Sequence, residues 1–359
     1  MHLKTLEISG WRNYTGEKIV FSPGINLFLG LNGQGKTNLL EAIFFLSCGQ
    51  SPRTGKIDEL INWKGNYFFL RGEICREQQK ALVEMGGARD GRRVTKINGT
   101  PVQRLAQVSD LINSVFFMPD DLYLVKGGPA RRRRFLDLEI GQISSSYRYF
   151  VGNYNKFLRE RNALLKSSAQ DPVVLRVLTE KLAELTGPIT EMRNNYLQKL
   201  SILARLKHRK LSGSKEEMGL VYSWSIAPGL TSEEVLAEFA KTRALELKYR
   251  ATMVGPHKDD FTFIVNGSDL RTFGSQGQQR TAVLALKLAE IDLFKAETGA
   301  YPLLLLDDVL SELDEQRKNM LLEYLSGKIQ TFISSAEPLP PQAKAQVFWI
   351  EAGSIQERN

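Results

Sequence analysis

The sequence has little cysteine, no long apolar run and no sustained heptad pattern. Each absence closes off a class of protein. Cys48 and Cys75 are the only two cysteines in 359 residues, too few and too far apart for a metal framework or a disulfide scaffold. Free thiols in a reducing compartment are the simplest account. No apolar stretch is long enough to cross a bilayer. The first residues show no basic-then-apolar leader and open directly on a strand pattern. A cytoplasmic location without a membrane partner is therefore expected. Acidic residues are missing from one long stretch: none lies between Glu191 and Glu216.

What is present is a soluble, core-forming composition. Hydrophobic residues make up 42% and charged residues 25%, with a net charge of +8 and a pI near 9.3. The length supports a large core and more than one domain. The positive balance favours a polyanion such as nucleic acid as partner.

The chain is organised around Gly30-Leu31-Asn32-Gly33-Gln34-Gly35-Lys36-Thr37. Ile25–Leu29 before it reads as a buried strand. Leu39, Leu40, Ile43 and Phe44 after it recur at helical spacing. Strand, glycine loop, Gly-Lys-Thr and helix together form a phosphate-binding loop. Glycines let backbone N–H groups turn inward around phosphate oxygens, and the helix N-terminus adds a positive dipole end. Lys36 is expected on the outer phosphates and the Thr37 hydroxyl on Mg2+. The expected ligand is a nucleoside triphosphate.

Strands are expected over Leu3–Ile8 and Lys18–Phe21, with Trp11-Arg12-Asn13-Tyr14 as a loop between them. Tyr67–Cys75, Ala81–Glu84 and Val94–Ile97 form a meander turned at Asp90-Gly91 and Asn98-Gly99. From about 130 to 250 the periodicity becomes helical. One helix face carries Tyr154, Phe157, Leu158, Leu164 and Leu165. A second runs from Val174 to Leu185, and Gly187-Pro188 separates it from a third carrying Ile189, Met192, Tyr196, Leu200 and Leu203. The pattern is too short and broken for a long coiled coil.

Arg193, Lys199, Arg205, Lys207, Arg209 and Lys210 lie in the stretch without acids. A solvated helix face would suit them, but the missing acidic partners favour a phosphate-backbone site. The run Arg131–Arg134 either braces a domain junction or contacts nucleotide. His257, within Gly255-Pro256-His257-Lys258-Asp259-Asp260, reads first as a structural hydrogen-bonder. Ser275-Gln276-Gly277-Gln278 opens a long helix. It offers a hydroxyl and N–H groups to phosphate, or Ser275 serves as an N-cap alone. Leu303–Leu306 is an apolar strand ending in Asp307 and Asp308. Asp307 is expected to hold Mg2+, and Asp308 to orient or deprotonate an attacking water. Ser311-Glu312-Leu313-Asp314 and a strand ending in Ser334-Ser335 follow.

The order of Gly30–Thr37, Ser275–Gln279, Leu303–Asp308 and Ser311–Asp314 resembles that of ATP-binding-cassette ATPases. Trp11–Tyr14, Pro119-Asp120-Asp121, Arg132–Asp137, Gly255–Asp260 and Gly274–Arg280 further resemble the RecF family of bacterial recombination mediators, over essentially the whole length. The resemblance implies an α/β fold: a cassette-type ATPase head with a β-rich subdomain over 1–118 and 252–359, and an inserted helical arm over 119–251. It implies ATP and Mg2+ as cofactors, with Arg12, Asn13, Gly30–Asn38 and Ser275–Gln278 at the nucleotide. Lys36, Asp308 and Ser275 would be the catalytic set. It further implies an ATP-dependent homodimer on double-stranded DNA near gaps or junctions, slow DNA-stimulated hydrolysis that releases it, work with RecR and RecO, and RecA loading. Three positions depart from the usual cassette pattern. Asp308 replaces Glu, Ser334-Ser335 stand where His is usual, and Met118-Pro119-Asp120 stand where Gln is common. They point to a slow switch. A transporter ATPase subunit, or a scaffold with structural ATP, is the competing expectation.

Overall fold

The computed structural model describes residues 1–76, 79–103, 105–168, 171–325, 327–340 and 344–358, with side chains for all of these except 106, 312, 316 and 358. Two compact units result, Met1–Asp121 with Glu290–Asn359, and Leu122–Ala289.

The first unit begins with β1 (His2–Trp11) and β2 (Tyr14–Val20), which pair antiparallel with Trp11 opposite Tyr14. The expected loop at Trp11–Tyr14 is thus a two-residue hairpin turn. Arg12 takes the positive φ of 50° that such a turn needs. Both aromatics are fully buried. β3 (Ile25–Leu29) leads through the phosphate loop into α1 (Lys36–Cys48). The meander is β4 (Tyr67–Arg76), β5 (Gln79–Ala88), β6 (Arg93–Ile97) and β7 (Thr100–Pro101). It joins β1 and β2 in one antiparallel sheet, ordered β2-β1-β4-β5-β6-β7. α2 (Ala106–Ser109) and β8 (Ser114–Phe117) complete this stretch.

The second unit opens with α3 (Tyr123–Lys126), α4 (Pro129–Ile143), α5 (Ser145–Lys166) and α6 (Pro172–Leu211). Gly187-Pro188 does not end a helix, contrary to expectation: α6 runs 40 residues with Pro188 inside it. An interior proline removes one hydrogen bond and crowds the preceding turn, at about 3 kcal/mol. Burial offsets that. Leu182, Ala183, Thr186, Ile189, Thr190, Arg193, Tyr196 and Leu197 form one buried stripe that passes straight through the proline. β9 (Met218–Ser223) and α7 (Ser232–Tyr249) follow, and Thr231 and Glu234 close a capping box on α7. β10 (Asp260–Val265) and β11 (Ser268–Asp269) turn at Asn266-Gly267, then α8 (Leu270–Phe273) precedes α9 (Gln276–Thr298).

Residues 252–289 were expected with the head, but they lie in this second unit. The reason is strand pairing. β10 is antiparallel to β9 over six residue pairs, from Asp260–Ser223 to Val265–Met218. A strand inside the helical stretch thereby claims its partner from beyond residue 251.

Back in the first unit come β12 (Leu303–Asp307), α10 (Glu315–Leu325), β13 (Thr331–Ser335), β14 (Ala345–Glu351) and β15 (Ser354–Arg358). The second large sheet is ordered β15-β14-β3-β13-β12-β8, with all neighbours parallel except β15. Eleven of the thirteen α1 residues are buried. This helix packs on β8, β12 and β13 of one sheet and on β1, β4 and β5 of the other. A helix covered on both faces cannot be amphipathic, which accounts for its continuous apolar run. Phe21, Phe28, Phe332 and Phe348 cluster beside it with ring centroids 4.9–6.2 Å apart.

Candidate phosphate site

The strand order sets the site. β13 lies between β3 and β12, with Ser334 paired to Phe28 on one side and to Asp307 on the other. The glycine loop leaving β3 and the acids ending β12 therefore emerge at the same carboxyl edge of a parallel sheet, where ligands bind in such folds.

Two glycines are required by contact as well as by conformation. Gly30 has φ 153°, and a Cβ there would lie 2.3 Å from the Ile350 carbonyl oxygen. Gly35 has φ 120°, and a Cβ would lie 2.5 Å from Asn13 Nδ2. Within the loop, Lys36 Nζ donates to the carbonyls of Gly30 at 2.6 Å and Leu31 at 3.0 Å. Burial lowers its pKa from the ordinary lysine value, and Asp308 and Asp307 push it back up. A partly desolvated ammonium of this kind favours an incoming anion.

Thr37 Oγ1 donates to Asp307 at 2.8 Å and 2.9 Å. Ser334 Oγ donates to Asp307 Oδ1 at 2.7 Å and accepts from the Asp308 backbone N–H at 2.9 Å. Ser334 thus ties the two acids together at the position where histidine is usual. Burial raises the Asp307 carboxyl above its usual range, against the hydrogen bonds from Ser334 and Thr37. A hydroxyl and a carboxylate side by side, the carboxylate buried, are a donor set that fits a hard divalent cation. Asp308 is only half-buried, in the left-handed conformation with φ 52°.

A bracket of side chains fixes the loop from outside. Asn13 Nδ2 donates to the Gln34 carbonyl at 2.9 Å, Tyr14 OH to the Gly35 carbonyl at 3.0 Å, and Asn38 Nδ2 to Asn13 Oδ1 at 2.8 Å. Arg12 makes a two-point contact with buried Glu41, both bonds 2.8 Å. Arg53 reaches Glu41 at 3.2 Å and Asn38 at 2.9 Å. Ser51 closes the group on Glu41 at 2.5 Å. Glu41 and Arg53 were not singled out from sequence. Their only signal was an acid inside an apolar helix and an arginine in the turn-rich Ser51-Pro52-Arg53-Thr54-Gly55 that follows it. Leu31, Asn32 and Gly33 are exposed at the loop tip.

The structure therefore brings Asn13, Gly30–Asn38, Asp307 and Asp308 together in the first unit. Ser275–Gln278 lie in the second. Ser275 is the exposed N-cap of α9: its Oγ accepts from Gln278 N at 3.2 Å, while its own N–H donates to Gln278 Oε1 at 2.8 Å. Gln278 also donates to Glu216 at 2.7 Å. Ser311 Oγ donates to the Asp308 carbonyl at 2.7 Å.

The basic cluster divides. Lys199, Arg205, Arg209 and Lys210 are exposed and Lys207 is half-buried. Arg205 pairs with Glu217 at 3.4 Å, and Ile202 and Leu206 are exposed between the charges. Arg193 must be removed from the set. It is 3% exposed and donates to Tyr147 OH at 2.8 Å, the Pro256 carbonyl at 2.7 Å, Asp137 at 2.8 Å and Asp259 at 3.3 Å. Its helical position faces the interior, so its charge is neutralised there and cannot reach a phosphate. The Arg131–Arg134 run enters the same network. Arg132 makes a two-point contact with Asp260 at 2.6 Å and 2.9 Å, and Arg133 donates to the Asp259 carbonyl at 2.8 Å. Of the two roles open for that run, these two arginines take a structural one. Among the described residues no helix is long and apolar enough to cross a membrane.

Residues 2–346 match the RecF/RecN/SMC N terminal domain family. The chain is 42% identical over 348 residues to the DNA replication and repair protein RecF of Oceanobacillus iheyensis, covering 93% of each chain. It matches the structure of the recombination mediator protein RecF with ATP, in the RecFOR pathway, with a TM-score of 0.92 and 37% identity, over 100% of this chain and 98% of that one. An Smc head structure shares the fold, with a TM-score of 0.58 at 16% identity over 100% and 97% of the two chains.

Proposed function

The chain belongs to the RecF family of DNA replication and repair proteins, and from that premise we propose that it is an ATP-gated DNA-binding switch of recombinational repair. The observation that carries the reading is the joined Thr37–Asp307 pair beside Lys36 at the mouth of the glycine loop. Gly30–Asn38 bind the triphosphate, with Lys36 on its outer phosphates, and Thr37 and Asp307 hold Mg2+. The metal supplies charge neutralisation on the phosphates when bound. Asp308, placed by Ser334, orients or deprotonates the attacking water. A carboxylate one methylene shorter than Glu suits slow turnover.

The exposed N-cap Ser275 suits a role across a homodimer. Two chains then enclose two ATP molecules, and hydrolysis separates them. Double-stranded DNA is bound by Lys199, Arg205, Lys207, Arg209 and Lys210, without Arg193. The RecFOR name of the ATP-bound relative supports RecO and RecR as partners, and RecA loading is the outcome that this reading proposes.

Sedimentation with ADP, ATP and a non-hydrolysable analogue, with and without duplex DNA, tests the switch. Lys36→Met is expected to lose ATP binding. Ser275→Arg should keep ATP binding yet stay monomeric, and an intact ATP-dimer of that variant refutes the sandwich. Asp308→Asn should give a long-lived ATP-dimer, whereas ordinary turnover removes Asp308 from its role. Neutralising the five basic residues should weaken duplex binding and flatten its salt dependence; unchanged affinity and slope would place the DNA elsewhere.

A further inference from the structure

Trp63 is 96% exposed, the most exposed of the large apolar side chains described. Its position is built rather than loose. Asn62 N donates to the Gly10 carbonyl at 2.7 Å, and Asn62 Nδ2 to the Arg12 carbonyl at 2.8 Å. Lys64 N donates to Asn62 Oδ1 at 3.0 Å, and Gly65 N to the Asn62 carbonyl at 2.9 Å. Arg89 Nε adds a bond to the Gly65 carbonyl at 3.2 Å. A turn tied at five points holds an indole in water.

The surroundings share one character. Tyr67, at the start of β4, is 63% exposed. Strand register places Ala88 opposite Tyr67, and Gly87 opposite both Phe68 and Arg93. Arg89 and Arg93 therefore stand at the same end of the sheet as the turn. Lys64, Arg89 and Arg93 are exposed; of the acids described nearby, Asp90 is paired with Arg92 at 2.6 Å and Glu59 with Lys56 at 3.4 Å, which leaves exposed Asp58 against the three cations. Two ring faces amid unbalanced positive charge suit nucleic acid: cations meet phosphates, and rings meet bases.

An intact duplex keeps its base faces stacked, so a ring of this kind selects a base that has lost its neighbour. We propose that this face recognises the junction between double- and single-stranded DNA, with Trp63 stacked on the first unpaired base and Lys64, Arg89 and Arg93 on the adjoining phosphates. This deepens the DNA-binding reading above and rests on it.

The test uses the full chain with a gapped duplex carrying 2-aminopurine at the first unpaired position, and a sealed duplex of equal length. The wild type is expected to quench the probe and to prefer gapped DNA. Trp63→Ala should abolish quenching and weaken gapped binding roughly ten-fold, as for loss of one base–aromatic stack. Sealed-duplex binding and thermal melting should not change, and Trp63→Phe should restore part of the preference. Sealed-duplex binding with no gapped preference, or no effect of Trp63→Ala, overturns the junction assignment while leaving the DNA reading intact. Weakened ATP binding with unchanged DNA binding would give the ring to the nucleotide base instead, and also overturns it. A wild type that binds neither DNA sinks both.

Discussion

Replacing Arg193 with methionine separates a buried structural charge from a DNA contact. The guanidinium has two carboxylates, a phenol and a backbone carbonyl as acceptors, at 2.7–3.3 Å. Methionine fills much of the volume and satisfies none of them. Asp259 bears most of the loss. Its side chain is 1% exposed, and burial already raises its carboxyl above the usual range, opposed by bonds from Ser225, Tyr222 and Arg193. Removing one partner of a buried pair costs about 3–5 kcal/mol, because the remaining charge stays uncompensated. That is a large share of a typical total of about 5–15 kcal/mol. Urea unfolding followed by circular dichroism reads the loss, and DNA binding is measured below the transition. The expected result is a strongly destabilised variant whose folded fraction binds duplex normally. Asp259→Asn in the same chain should recover part of the loss by removing the stranded charge. The sign with pH is also fixed. Asp259 in the variant holds its proton to higher pH when folded than when unfolded, so the folded state binds more protons and the variant gains stability relative to wild type as pH falls. Normal stability with weakened DNA binding would refute the reasoning and return Arg193 to the surface.

Two further perturbations bear on the second unit. His257 Nε2 donates to the Thr252 carbonyl at 3.1 Å, so Nδ1 accepts from Tyr154 OH at 2.8 Å. Burial lowers its pKa to about 4. The unfolded imidazole titrates near 6.5, so between these values the unfolded chain binds more protons and stability is lost as pH falls, by about 2 kcal/mol from pH 7 to 5. The stability gap between wild type and His257→Gln should narrow by that amount in urea titrations at the two pH values; a constant gap excludes a buried neutral histidine. Pro188→Ala restores the hydrogen bond missing inside α6 and should raise stability, by up to about 3 kcal/mol. A lower melting temperature would show that the proline supports a backbone path the alanine cannot follow.

Local chemistry was legible in the sequence. The glycine loop, Lys36, Thr37, Asp307 and Asp308 were found because backbone turning, phosphate charge and metal binding each demand particular residue types at short, fixed spacing. The meander turns at Asp90-Gly91 and Asn98-Gly99 were legible for the same reason: positive φ at Gly91 and Gly99 is a local requirement. The tertiary structure decided whatever depended on partners far away in the chain. Helical spacing sets Arg193 on the stripe of Ile189, Tyr196 and Leu197, away from Lys199 and Arg209, but spacing alone does not say that a charge can be buried there. Asp137 and Asp259, brought in by α4 and the turn before β10, supply the counter-charges that let it stay interior. Gly187-Pro188 reads as a break because local propensity is all that sequence displays, whereas a buried stripe on both sides of the proline outweighs it. The unit boundary moved past residue 251 because β9 sits inside a helical stretch and takes β10 as its partner. Residue type and spacing fixed which chemistry is offered at the phosphate loop. Packing decided which charges are free to use, because burial and pairing are properties of neighbours that are distant in sequence.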